Sequence, residues 1–344
     1  MSAIETPRPQ LEAIPFRDKL RIGATEATGF AILCVVFSAL TLAGTRVGGL
    51  FQPLLGASVA PGGEPGWAMH IVVGVLLAFL VMANVVAIRL LPFRAQVILV
   101  WAELALLFAA FINGFGRDLG IWFQQSQDGQ TNLAYLVTTG AVTTLYVSLI
   151  SILIACCFAM LAALGRLSQS GPAFALSTFY TSFFRGTPLL LQVYLIYIGL
   201  PQLGAQFAMD AVPSGILALS LCYGAYMAEI FRAGIQGVPY GQHDAAKALG
   251  LPRGLTFRKI IFPQAMRLIV PPTGNQFIAM LKDSSLVSVM GVWELTKTAQ
   301  IIGKRDFRVF EMLIAAALIY WVMSFVFELL QARLEKHYGK GYER

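Results

Sequence analysis

Charge is what this sequence has least of. Only 12% of its 344 residues are Asp, Glu, Lys or Arg, against 57% that are hydrophobic. A soluble globular chain carries about 25% charged residues, so that class is excluded and a membrane protein is expected. Cysteine is also scarce. Cys34, Cys156, Cys157 and Cys222 all lie in apolar stretches, at spacings that fit neither a disulfide framework nor a zinc site. His70, His243 and His337 are scattered and form no metal motif. No Gly-x-x-x-x-Gly-Lys-Ser/Thr run occurs, and Gly303-Lys304 and Gly339-Lys340 lack its context, so the chain does not cradle ATP phosphates in the P-loop manner. There is no His-Glu-x-x-His, and nothing orders serine or cysteine into a nucleophile with its base. The expectation is a protein that is no enzyme and carries no cofactor or metal of its own. The net charge of +7 does not call for nucleic acid. The bases cluster beside apolar segments, as membrane topology demands, and anionic lipid headgroups are the simpler partner.

What the sequence does have is long apolar runs. They fall at about 27–45, 67–90, 93–113, 136–164, 174–200, 214–231, 268–281 and 310–330. The expected fold is all-α, a polytopic transmembrane helical bundle of about eight spans of about 20 residues each. The first run follows a segment holding both acids and bases, unlike a cleaved signal peptide, so it reads as a retained helix. Residues 1–26, with Pro7, Pro9 and Pro15, read as a cytoplasmic tail, and 335–344 as a second one. A compositional seam near Asn132 separates three plain spans within 27–132 from a module at 133–334 whose spans carry Pro, Gly and polar groups.

Short loops carry orientation. With both termini in the cytoplasm, the inner side holds Arg8, Arg17, Lys19, Arg21, Arg89, Arg94, Arg166 and the tail bases Arg333, Lys336, Lys340 and Arg344. The outer loops hold only Arg46 and Arg117. One segment breaks the pattern, because Lys282, Lys297, Lys304, Arg305 and Arg308 fall nominally outside. Either part of it re-enters the membrane or the seventh run is misdrawn.

The polar interruption from Arg232 to Gln264 lies between two apolar runs. Gln242 to Leu249 is a good helix former, Gly250 suits the left-handed position that closes a helix, and Pro252 cannot continue it. A second short helix is expected from Leu255 to Phe262, ended or kinked by Pro263. Ala245, Ala246 and Ala248 allow close approach of another surface. Leu249 and Leu251 are apolar anchors, and Arg253, Arg258 and Lys259 form a charged rim. The result is a cytoplasmic knob for a groove on another protein, or else an amphipathic helix resting on lipid.

Asp244-Ala245-Ala246, then Gly250, then nine residues to Ile260-Ile261-Phe262-Pro263 resembles the EAA loop of ABC-importer permeases. Asp244 stands for the usual Glu and Phe262 for Leu. Phe183-Phe184-Arg185-Gly186-Thr187-Pro188-Leu189-Leu190, Tyr197-Ile198-Gly199-Leu200-Pro201, Ala225 to Ile235 and Lys282-Asp283-Ser284-Ser285-Leu286 resemble the polar amino acid (histidine/glutamine-type) uptake permeases. The resemblance covers about residues 136–334. It implies a five-span type I importer core in a bacterial inner membrane. It also implies a separate ABC ATPase holding ATP and Mg, a second homologous permease in a heterodimer or homodimer, and a periplasmic amino acid-binding protein. The extra N-terminal spans are similar to the M-type permease subunit of general L-amino acid transporters. The coupling residues would be Asp244, Ala245, Ala246, Leu249, Gly250, Leu251, Ile260 and Pro263.

Charges inside a bilayer cost at least about 2.5–3.5 kcal/mol at mid-depth, so each asks for a role. Glu229 and Arg232 lie one turn apart and are placed to pair, as an interfacial anchor or in function. Arg185 precedes a helix break at Gly186-Thr187-Pro188, where freed backbone groups need protein or water; it is a gate or packing residue before it is a substrate contact. Pro271-Pro272 is expected to break the seventh span, offering helix ends to a polar solute. Asn275, Gln276, Asp283, Ser284 and Ser285 then line a pathway suited to a zwitterion, or pack helices through hydrogen bonds. Glu103 has no evident partner. The rival functions are a secondary transporter working without partners and a membrane scaffold that moves nothing.

Overall fold

The computed structural model describes residues 24–42, 67–114, 119–125 and 129–339. Residues 1–23, the loop holding Pro53, Pro61, Gly62, Gly63 and Pro65, and residues 340–344 lie outside them. The described residues are almost entirely helical, with one isolated bridge between Gln125 and Thr131 and no strand. They group into two compact units, Met1–Arg117 and Asp118–Arg344.

The first unit holds α1 (Ala24–Leu42), α2 (Trp67–Leu90) and α3 (Phe93–Gly114). Helices α1 and α2 pack closely because Gly74 has no side chain. A Cβ there would lie 2.5 Å from the Ser38 nitrogen. The Thr41 hydroxyl donates to the His70 carbonyl at 2.9 Å across the same contact. Glu103 has a partner after all: Asn84 Nδ2 donates to it at 3.0 Å from α2. Local spacing carries no hint of that pair, because the two residues sit on separate helices, either side of Pro92.

In the second unit, α4 (Asn132–Leu167) pairs along its length with α7 (Ala211–Gln236). Small residues make this contact. Ala155, Ala159 and Ala163 are fully buried, and Ser220 Oγ donates to the Ser151 carbonyl at 3.2 Å. Without a hydrophobic drive between spans, such close backbone approach and interhelical bonding hold membrane helices together. Between them lie α5 (Gly171–Gly186) and α6 (Leu189–Tyr194), the latter continuing through tighter and wider turns to Leu203. The chain bends by 108° at the expected break. Gln192, 2% exposed, closes on that break through Nε2, 2.8 Å from the Phe184 carbonyl and 3.0 Å from that of Thr187.

A short helix α8 (Tyr240–Ala248) follows α7. After it come a turn at Arg253–Thr256, a wide turn at Phe257–Ile261, and α9 (Phe262–Asp283). Two expectations are corrected here. Pro263 does not end the second short helix, since the chain stays helical from Arg253 to Asp283. The wide turn just before it accommodates the proline, with Phe262 N bonded to the Phe257 carbonyl. Nor do Pro271 and Pro272 break the span. They lie inside α9, where Gln331 donates to the Pro271 carbonyl at 2.6 Å and Gly274 lets that side chain in. The seventh run therefore extends from 262 to 283 rather than 268 to 281.

The basic segment after α9 forms a tight turn at Ser284–Met290, then α10 (Leu295–Arg305), then α11 (Val309–Gly339). Glu294 is fully buried and caps α10, accepting from Thr296 N at 2.9 Å and Lys297 N at 2.7 Å. Burial pushes its carboxyl up, while hydrogen bonds from Tyr320 and those backbone groups pull it down.

Four described helices are long and apolar enough to cross a membrane: α2, α4, α7 and α11. The bent pair around Thr187-Pro188 would make a fifth.

Candidate functional site

The elbow between α7 and α9 owes its shape to its sequence. Gly250 sits at φ +68°, in the left-handed region, and no atom lies within 4 Å of where its Cβ would be. Glycine is there for its backbone, not for space. Gly250 N bonds the Lys247 carbonyl at 2.9 Å and Leu251 N bonds that of Ala246 at 3.0 Å. Those two bonds are the full Schellman closure of α8. Gln264 then ties the elbow to α9, its Nε2 donating to Gln242 Oε1 at 3.1 Å.

This closure sorts the eight expected coupling residues. Asp244, Ala245, Gly250 and Pro263 are exposed, and Leu249 is 75% exposed. Leu251 and Ile260 are half-buried. Ala246 is a correction to the picture of three open alanines: it is 1% exposed, so only Ala245 and Ala248 are open. Tyr240, at 83% exposure, joins the open face. Arg253, Arg258 and Lys259 are exposed, as expected of a rim. Asp244 keeps a loose ion pair with Lys247 at 3.5 Å. A cleft of about 740 Å³ lies behind α8, lined by Leu164, Leu167, Tyr240, His243, Lys247 and Phe257 among others.

A second cluster gathers on Glu229. Arg232 holds its Oε2 at 2.9 Å, the pair the i,i+3 spacing predicts. Arg185 reaches Oε1 at 3.3 Å from the last turn of α5, and Arg166 pairs with the same oxygen from the end of α4. Sequence reasoning missed Arg166 here, because only the fold brings the ends of α4, α5 and α7 together. Arg185 also lies over the Tyr226 ring, 5.6 Å from its centroid.

The five expected pathway residues do not share one face. Asn275 and Asp283 are exposed, and Gln276 and Ser285 half-buried. Ser284 is fully buried and donates to the Leu281 carbonyl at 2.7 Å. Asp283 accepts from the Tyr223 hydroxyl at 2.7 Å. Ser285 faces elsewhere, into a cleft of about 500 Å³ that it shares with Lys282, Thr296, Tyr320 and Glu328. Tyr223 and Tyr226 were the overlooked residues. Their spacing to Glu229 and Arg232, three apart along an apolar run, was the available signal.

A family described as binding-protein-dependent transport system inner membrane component matches residues 155–340. The "probable amino-acid permease protein YxeN" of Bacillus subtilis (strain 168) is 42% identical over 168 residues, covering 48% of this chain and 75% of the relative. The L-cystine transport system permease protein TcyB of the same organism is 37% identical over 202 residues, 58% of this chain and 86% of the relative. Among solved structures, one titled as an amino acid ABC transporter with histidines aligns at TM-score 0.55 and 38% identity, over 59% of this chain and 94% of its own. The resemblance carried by the elbow and by the motifs at 183–201 and 225–235 is thus matched over residues 155–340 by the family and over 48–59% of this chain by these relatives. The protein belongs to the family of binding-protein-dependent transport system inner membrane components, the permeases of ABC transporters.

Proposed function

We propose that the chain is a permease subunit of an ATP-driven amino acid importer in a bacterial inner membrane, both termini facing the cytoplasm. Residues 133–334 form the importer core and 27–132 are added spans. Energy comes from a separate ATPase that grips the elbow. A second homologous permease, in a heterodimer or a homodimer, completes the pathway, and a periplasmic binding protein delivers substrate. This chain holds no ATP or Mg itself. Asn275, Gln276 and Asp283 serve the pathway, with Asp283 the natural acceptor for a substrate ammonium.

The observation that carries this reading is the elbow. A helix of nine residues, locked by a Schellman closure, presents Tyr240, Ala245 and Leu249 outward between two long helices. An apolar anchor so exposed on a rigid knob gains most by entering a groove on another protein.

Gly250→Asp tests it. The variant has room for its side chain, and aspartate is among the residues that tolerate the left-handed backbone, so its main change is a carboxylate set beside the knob. Expected are normal amounts of membrane-inserted permease and loss of uptake. Normal uptake at normal expression would remove the coupling role.

A further inference from the structure

Helix α7 is the most deeply packed of the candidate spans, 61% buried against 17–44% for the others. What its second half leaves open is mostly polar. Tyr226, Glu229, Arg232, Ala233 and Gln236 are its exposed or half-exposed residues from the middle onward, with Ile230 beside them. They recur three or four apart, so they form one stripe. A polar stripe on a membrane helix faces water or protein, not hydrocarbon. One turn earlier on the same helix, Tyr223 bonds Asp283, and its ring lies 6.4 Å from that of Tyr226. Tyr223 itself is buried, so the open stripe begins at Tyr226, one turn from the Tyr223–Asp283 bond, and ends at the cluster on Glu229.

That cluster is unbalanced. Three guanidiniums share one carboxylate, leaving an excess of two positive charges. Arg166 Nε is buried there without an acceptor. The three are not held alike. Arg232 makes two bonds to Oε2, at 2.9 and 3.0 Å. Arg185 has a single contact at 3.3 Å, on an oxygen that Arg166 also claims. Its side chain is 43% exposed, against 23% for Arg166 and 32% for Arg232. Arg185 also stands over Tyr226, on the open stripe.

We propose that Arg185 binds the carboxylate of the transported amino acid, in competition with Glu229, at the inner end of the pathway. The proposal rests on the amino acid permease reading. Guanidinium matches carboxylate in a planar, two-bond geometry, so a substrate carboxylate can take the place of Glu229 on Arg185. Glu229 keeps Arg166 and Arg232, so the exchange strands no charge. Asp283, at the far end of the stripe, repels a carboxylate and accepts an ammonium. A zwitterion is then recognised by one end and afterwards by the other, while its side chain passes the Tyr226 ring. The substrate class is α-amino acids with a free carboxylate.

The test uses the whole detergent-solubilised complex of permeases and ATPase. The probe is whichever of the twenty L-amino acids gives the highest ATP-dependent uptake in liposomes with the binding protein present. Its partner probe is the matching α-amide. Binding of both is then titrated without the binding protein. Wild type should bind the acid and discriminate against the amide. Arg185→Gln should weaken acid binding about 10- to 100-fold, the range for one charge-assisted bond, and leave the amide unchanged. Arg185→Lys should recover part of the loss. Glu229→Gln, which removes the competitor, should tighten acid binding, opposite in sign to what a merely structural cluster predicts. If that variant does not assemble, Arg166→Gln gives the converse. Glu229 then holds Arg185 harder, and acid binding weakens several-fold while the amide is unaffected. Equal effects on acid and amide, no effect of Arg185→Gln, or no discrimination by wild type would overturn the proposal. If none of the twenty amino acids is taken up by the wild-type complex, the permease reading itself fails.

Discussion

Two helices of nearly equal length, α2 with 24 residues and α7 with 26, use the same alphabet to opposite ends. α2 has a mean hydropathy of 2.9 and is 17% buried, whereas α7 has 1.4 and is 61% buried. The open surface of α2 is Phe79, Leu80, Val72 and Leu76. The second half of α7 leaves Tyr226, Glu229, Arg232 and Gln236 open. Apolar surface left open on a membrane helix suits lipid, which offers no penalty and asks for no partner. Polar surface left open asks for water or another protein. Hydropathy alone ranks α2 as the better span, yet the less apolar helix is the one that holds the charged cluster and the tyrosines.

The contrast can be broken most sharply at Glu229. Glu229→Ala strands three guanidiniums in a site where the carboxylate is 23% exposed. Removing one partner of a buried pair costs about 3–5 kcal/mol, and partial exposure places this case near the low end. The expected outcome is a lower melting temperature for the purified complex and loss of uptake. An unchanged melting temperature would mean the cluster is not a shared anchor. Next in size is Ala159→Leu at the contact of α4 with α7. The position is fully buried, and inserting extra methylenes costs about 1–3 kcal/mol. Reduced stability is expected, with substrate preference among amino acids unchanged. Gly250→Asn should have a small effect, because asparagine tolerates the left-handed conformation, while Gly250→Val should abolish uptake. The smallest effect is expected on α2. Phe79→Ala removes a side chain that is 61% exposed, and change should stay within about 0.5 kcal/mol, as for surface positions without special features. A large loss of stability or assembly there would show that this face meets protein.

Much of this was legible in the residues. The helix break at Thr187-Pro188, the Gly250 closure and the Glu229–Arg232 pair each follow from local rules: proline geometry, left-handed glycine, helical spacing. What local rules could not supply was partnership across elements. Arg166 looked like an inside-facing base and proves to share Glu229 with Arg185. Pro271-Pro272 looked like a break, and the span continues through it, with Gln331, sixty residues away, bonded to the Pro271 carbonyl. Ala246 belongs to an elbow motif that suggests openness, yet it is buried. Ser284 and Ser285 are adjacent in sequence but face the core and a side cleft respectively.

The central claim is that the elbow plugs into an ATPase, and Leu249 is the place to ask. A single cysteine at that position, in a chain whose four native cysteines are replaced by serine or alanine, can be crosslinked in membranes holding the whole complex. The account predicts a covalent adduct with the ATPase subunit, lost when an apolar-to-charged change is made in that subunit's groove. A Leu249→Cys chain that is modified by an impermeant maleimide from outside intact cells, and never captures an ATPase, would contradict it.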